Sequence, residues 1–347
     1  MSVSTVSRVL NEKDDVAPET YERVQDVIKR LGYTSSLAAR SMRSHRTNVI
    51  GLIMPDVSDP FCIQVMKGVS RAITEIDYDL IIYTSGSTRK PSTAEREQHY
   101  VSLLNGTITD GMIVVTPVAT SFPTSAPVVS VDPNADCPEY PVVISTNRTG
   151  AVSAVEYLIR LGHRRIGFIG GRPDLRSANQ RLQGYLEALG RAGIPRDQAL
   201  IESGDFSAET GRLCARRLLA LSTPPTAIFA TNDQSALGVL AAARETGLRV
   251  PWDLSVVGFD NTPEAAYSQP GLTTVDQFID QMGYLATEML ISLVQGESLD
   301  GDQREIATQL VVRDSCRAIG SNNGAEQGVA REGAAGGPAE LRAEPAG

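Results

Sequence analysis

Ser2-Val3-Ser4-Thr5-Val6-Ser7-Arg8-Val9-Leu10-Asn11 sorts its chemistry by helical face. At roughly 100° per residue, Val3, Val6, Val9 and Leu10 fall on one side, and Ser4, Ser7, Arg8 and Asn11 fall opposite them. The outward set is small hydroxyls, one guanidinium and one amide. Such a face suits a helix that lies in a DNA major groove and bonds to base edges and phosphates, with Ser2 as its N-cap. An ordinary amphipathic surface helix has the same periodicity, so the rest of the chain has to decide between the two.

Composition narrows the partners. The chain has 347 residues, 41% hydrophobic and 21% charged, enough for two or three packed units of an ordinary globular protein. Its longest apolar runs, such as Val49–Met54, are far too short to span a bilayer, and the N-terminus lacks the layout of a signal peptide, so a cytoplasmic protein without membrane contact is expected. Cys62, Cys137, Cys214 and Cys316 have no paired spacing. His45, His99 and His163 are equally scattered, so neither a disulfide framework, a zinc site nor any cofactor is expected.

The net charge of −9 is unevenly spread. Residues 1–48 hold eight Lys/Arg against six Asp/Glu, a surplus of +2, which leaves −11 on the remainder. Arg40, Arg43 and Arg46 follow one another with no acid between them, as phosphate contact requires.

After a polar connection from Asn11 to Val16, a second helix is expected from Pro18 to Leu31. Proline suits its first turn, Tyr21, Val24, Ile28 and Leu31 repeat along one face, and Gly32 suits its C-terminal cap. A short helix from Ser36 to Arg43, with Leu37, Ala38, Ala39 and Met42, has too few polar residues to stand alone and is a candidate hinge that orders on DNA. From Val49 the pattern becomes an α/β alternation. Strands are expected at Val49–Met54, Leu80–Thr84, Gly111–Val115, Val128–Val131, Arg165–Ile169, Ala227–Ala230 and Ser255–Phe259. Helices are expected over 61–76, 94–104, 150–161, 181–192, 208–221, 235–246 and 281–293. That is too many units for one sheet, so two parallel-sheet subdomains with crossover helices are expected, followed by a low-complexity tail over 319–347.

Taken together, STVSRVLN at 4–11, the VAPET…LGY frame at 16–33, AARSMRSHRT at 38–47, IGLIMPDVSDPF at 50–61, GHRRIGFIGG at 162–171, RLQGY at 181–185, PTAIFATND at 225–233, GLRVPWDLSVVGFDN at 247–261 and LTTVDQ at 272–277 resemble the lactose-repressor family of transcription factors. The resemblance implies a helix-turn-helix headpiece (1–34), a hinge helix and linker (35–47), and an effector-binding core (48–318) like that of periplasmic sugar-binding proteins. Its chain would cross three times between subdomains, the first about 48–147 with 277–303 and the second about 148–276 with 304–318. It further implies a homodimer on double-stranded operator DNA, controlled by a small-molecule effector such as a sugar.

By the same resemblance, Val3 and Ser4 read bases, Arg8 contacts a guanine, and Thr5, Ser7 and Asn11 hold phosphates. An outward arginine can donate twice to guanine O6 and N7, which agrees. Met42 stands where a leucine usually wedges into the minor groove, beside Arg43 and Arg46, and Ser35 replaces a common proline. In the core, Asn232 and Asp260 would bond to effector hydroxyls, with Arg181 reaching in from the other wall, joined by Asp132. Asp59 and Phe61 would supply the opposite wall, and Cys62 stands where many members have a second aromatic. Asn232-Asp233 before a helix also reads simply as a cap.

Family members carry a further helix ahead of the one that opens this sequence. The expectation is therefore a headpiece lacking its first helix and weak in operator binding, from a start codon assigned too late. A ligand-binding sugar receptor without effective DNA binding is the alternative. An enzyme reading would rest on GFIGG at 167–171, which lacks the full dinucleotide fingerprint.

Overall fold

A computed structural model describes residues 2–10, 16–31, 46–86, 93–105, 108–135 and 138–319. The expected hinge helix with Met42 and Arg43, the position of Asn11, and the tail from residue 320 lie outside the described residues.

At the head, α1 (Val3–Leu10) starts where expected: the Ser2 hydroxyl accepts the Thr5 amide at 3.1 Å. Val9 is fully buried, and α2 (Pro18–Leu31) contributes a buried Val24. Val3, expected on the apolar face, is 88% exposed, because the burial that α2 supplies falls on the Val9 end of the helix. Leu31 is likewise exposed at the far end of α2.

The core begins with β1 (Val49–Met54), α3 (Pro60–Ile76), β2 (Asp79–Thr84), α4 (Thr93–Leu104), β3 (Gly111–Val115), β4 (Val128–Val131) and β5 (Val142–Ser145). It crosses into α5 (Asn147–Arg160), β6 (Ile166–Gly170), α6 (Arg176–Arg191), β7 (Ile201–Ser203), α7 (Ala208–Leu219), β8 (Ala227–Ala230), α8 (Asp233–Glu245), β9 (Ser255–Val257), the short α9 (Pro263–Tyr267) and β10 (Thr274–Asp276). It returns through α10 (Ile279–Val294) and β11 (Gln303–Ile306), and crosses once more into β12 (Gln309–Val311).

The first sheet has the parallel order β11-β5-β4-β3-β1-β2 and the second the parallel order β7-β6-β8-β9, while β10 and β12 form a separate antiparallel pair. Helices cover both faces of each large sheet, which is why its central strands are continuous apolar runs rather than alternating ones. Ile50, Leu52 and Met54 pack with Val65 and Val69 of α3 and Met282 and Leu290 of α10, whereas Ile53 packs on the reverse face with Val101 and Leu104 of α4. Full burial of each such side chain stabilises the fold by about 1.5–3 kcal/mol.

The contact between α3 and α10 is backbone to backbone. A Cβ at Gly68 would lie 1.8 Å from the Asp280 carbonyl oxygen, and one at Gly283 would lie 2.2 Å from that of Val65. No side chain larger than hydrogen fits at either position without parting the helices.

Five strands, β5, β7, β10, β11 and β12, are absent from the expected set. β11 is the consequential one: it pairs in parallel with β5, from Gln303 opposite Val142 to Ile306 opposite Ser145, so the returning segment stays in the first sheet to residue 306 rather than about 303. The chain then crosses at Thr308, whose amide donates to the Thr146 hydroxyl at 2.9 Å and so ties two crossings together. At the head-to-core junction, Asp110 accepts the Thr47 amide (2.6 Å), the Thr47 hydroxyl (2.8 Å) and the Asn48 amide (2.9 Å), fixing where the linker enters the core.

Candidate functional site

The C-terminal ends of the parallel strands from both sheets open onto one cavity of about 500 Å³. Ligands bind α/β proteins at such strand ends, and the volume suits a small molecule. Asp59, Phe61, Asp132, Arg181, Asn232 and Asp260, the six core residues singled out from the sequence, all line it. Asp59 and Phe61 follow β1, Asp132 follows β4, Asn232 follows β8 and Asp260 follows β9.

Arg181, expected on the wall opposite Asn232 and Asp260, stands on α6 in the same subdomain as both. Its side chain is 4% exposed and does not reach into open space. Its Nε donates to Asn147 Oδ1 at 2.8 Å, its Nη1 donates to the Thr231 carbonyl at 2.5 Å, and Asp260 Oδ1 lies 3.5 Å from Nη1. The guanidinium rests on the Phe259 ring, 3.9 Å from its centroid. This arginine is a fixed support for Asp260 and the floor of the cavity.

Burial sets the acid–base character of this floor. It pushes Asp260 well above the usual carboxylate range, with Arg181 pulling it back down, and raises Asp132 against Arg181 and Arg176. Arg181 itself is lowered by burial and held charged by Asp260, Asp132 and Asp233. Behind the wall, Asp233 is pushed up to about 7 by burial while accepting the Thr274 hydroxyl at 2.5 Å and the Thr262 amide at 2.7 Å. Asp260 has a backbone φ of 115° and Asp132 one of 50°, a region costly for residues with a Cβ that recurs at ligand sites.

Two of the six double as helix caps. Asp59 Oδ1 accepts the Phe61 amide at 2.8 Å, and Asn232 Oδ1 accepts the Ser235 amide at 3.0 Å, so the cap reading of Asn232-Asp233 holds alongside its place on the cavity wall. Asn232 also donates to the Phe206 carbonyl at 2.9 Å. Phe206 itself lines the cavity and is not among the residues singled out from the sequence. It sits at a φ of 71° in the turn before α7, outside any periodic stretch, with its ring over Gly171, where a Cβ would lie only 2.0 Å from it. Its one sequence signal is an isolated aromatic in Asp205-Phe206-Ser207 just ahead of a helix. Arg172, Arg176, Asn134 and, behind the wall, Gln277 are further residues that sequence reasoning misses. Cys62 is buried in the first-sheet core with its thiol raised by burial, and supplies no stacking face. Among the described residues there is no cluster of side chains able to hold a metal ion.

On the head, Ser4 and Arg8 are exposed on α1 beside Val3. The Thr5 hydroxyl lies 2.9 Å from that of Ser2, as part of the cap. Arg46 is exposed at the entrance to the core. The Ser7 side chain, Asn11, Met42 and Arg43 lie outside the described residues.

A model of bacterial regulatory proteins of the lacI family matches residues 1–36, and a periplasmic binding protein-like domain matches residues 155–316. The HTH-type transcriptional repressor CytR of Escherichia coli (strain K12) is 33% identical over 328 residues, which span 92% of this chain and 94% of that protein. The chain belongs to the lacI family of bacterial regulatory proteins. This lacI-family chain is also similar to solved structures along nearly its whole length. A transcriptional regulator CelR–cellobiose complex superposes with a TM-score of 0.69 at 32% identity, covering 91% of this chain and 96% of that one. The lac repressor dimer bound to operator and the anti-inducer ONPF superposes at 0.79 with 26% identity, covering 92% and 96%. Family members of this kind are transcriptional regulators and not enzymes, and no described helix is long and apolar enough to cross a membrane.

Proposed function

We propose that this regulator is an effector-controlled repressor: a homodimer whose α1 reads operator DNA and whose cleft takes a small hydroxylated molecule, a sugar or a related metabolite. The observation that carries this is the composition of one cavity between two sheets. Carboxylates at Asp59, Asp132 and Asp260 can accept hydroxyl protons, the Asn232 amide can bond in either sense, and the Phe61 and Phe206 rings offer apolar faces. Cellobiose in the CelR complex is a ligand of that chemistry. The head supports the DNA half of the reading through Ser4 and Arg8 exposed on one helix and Arg46 at the core entrance. Ligand in the cleft would then change the angle between the subdomains and thereby the spacing of the paired heads.

The test is a calorimetric panel of neutral mono- and disaccharides, cellobiose among them, and nucleosides, followed by mobility-shift titration of promoter DNA with and without the binder. Micromolar binding that alters specific DNA affinity supports the reading. Tight specific DNA binding indifferent to every cleft ligand would overturn effector control.

A further inference from the structure

Helix α6 (Arg176–Arg191) carries Arg176, Ser177 and Arg181 onto the cleft, yet its own sequence supplies no cap: Leu175 stands at the N-cap position and makes no side-chain bond to the helix. The need is met from the other subdomain. The Arg176 amide donates to Asn134 Oδ1 at 2.7 Å, and Asn134 Nδ2 donates to the Asp174 carbonyl at 2.9 Å. Asn134 follows β4, and its own backbone amide is anchored to the Pro117 carbonyl at 2.9 Å within the first subdomain. One short side chain therefore spans the cavity mouth and bonds to both ends of a short stretch on the facing wall. Asp132, two residues earlier, faces Arg176 and Ser177 of the same turn.

We propose that Asn134 is a positioning residue that caps α6 in trans and so holds the effector cleft shut before any ligand enters. Opening the cleft pulls Asn134 away and leaves the start of α6 with no side-chain acceptor. The usual worth of an N-cap corresponds to a shift of roughly two- to thirtyfold in the ratio of shut to open molecules. Ligand entry is slowed by the same factor, since only open molecules admit it. The consequence for control rests on the cleft being the effector site, but the contact itself does not, and its test uses no effector.

Hydrogen exchange and small-angle scattering on the full chain, free of ligand, would compare the native protein with Asn134→Ala and Asn134→Asp. Aspartate keeps the acceptor for the Arg176 amide and loses the donor to Asp174. Expected for Asn134→Ala are exchange of the Arg176 amide roughly two- to thirtyfold faster and a larger radius of gyration, with Asn134→Asp returning both toward native values. Native exchange in Asn134→Ala would overturn the proposal. So would faster exchange with an unchanged radius, which leaves a local cap and no latch, or an Asn134→Asp protein as open as the alanine variant, which transfers the role to the Asp174 bond. A ligand panel that finds no binder would leave these readings standing and would count against the effector function alone.

Discussion

Gln277 donates its side-chain amide to Asp260 Oδ1 at 2.6 Å and accepts the Ser145 hydroxyl at 2.7 Å. Asp260 lines the cleft, Ser145 ends the last strand before the first crossing, and Gln277 lies at the second crossing. A carboxylate on the cavity wall is thus joined, through one fully buried side chain, to two of the three places where the subdomains connect. Gln277→Leu leaves buried oxygens on both sides without their partner, and is expected to cost about 1–3 kcal/mol of stability. It should also blunt the effect of ligand on DNA affinity more than it changes ligand affinity itself. Urea unfolding together with DNA titration at saturating ligand measures both, and a native denaturation midpoint would show that the bridge carries no weight.

Asp260 is better probed with asparagine than with alanine. Its φ of 115° is costly for alanine, whereas asparagine fits that region more readily and keeps the acceptor for Gln277. Asp260→Asn should fold and assemble normally while effector affinity falls by about 1 kcal/mol, the typical net worth of one hydrogen bond. Calorimetry with the ligand found in the panel decides, and native affinity would remove Asp260 from the ligand contacts.

Stability should fall as pH rises from about 4 to 7 on account of Asp233, whose folded value is pushed up to about 7 by burial. Unfolded aspartate loses its proton near pH ~4, so across this interval the folded chain holds more protons than the unfolded one, and each further pH unit favours unfolding. The contribution is fully present below the unfolded value and is lost by the time pH passes the folded one. Thermal melts of Asp233→Asn should show a flatter pH profile than the native chain in this window; parallel profiles would mean that Asp233 titrates normally.

Arg8→Ala should relax base preference at one position of the operator, while Arg46→Ala should weaken all sequences alike and reduce the dependence on salt. Binding to a set of single-base operator variants at two salt concentrations separates the roles. Equal loss on every sequence for Arg8→Ala would assign it to phosphate.

What can be read in advance follows from where the information is stored. Val49–Met54, Gly111–Val115 and Ala227–Ala230 are buried on both faces, so their apolar runs announce them to the residue. Gln303–Ile306 is half exposed and mostly polar, Ile201–Ser203 is a three-residue edge strand, and both exist because a neighbouring strand offers hydrogen bonds, which leaves no trace in local composition. The expected start of α6 falls five residues late for a related reason: its cap, Asn134, is 42 positions away in sequence. On the cavity wall, polar residues just after buried strands, Asn232 and Asp260, are visible because strand ends can be counted. Phe206 and Gln277 are not, since a turn at positive φ and a crossing point are fixed by tertiary contacts rather than by any period.

The embrace of Gly68 and Gly283 also has a cost in time. The helix that covers β3, β4 and β5 starts at Ile279, and the strand that completes their sheet ends at Ile306, both far beyond the last earlier strand at Ser145. At about 5–20 residues per second, a ribosome needs on the order of ten seconds to half a minute to supply them. Through that interval the part of the apolar surface of Ile113 and Val129 that α10 later covers waits without its partner in the nascent chain, so the half of the core that is made first is finished last.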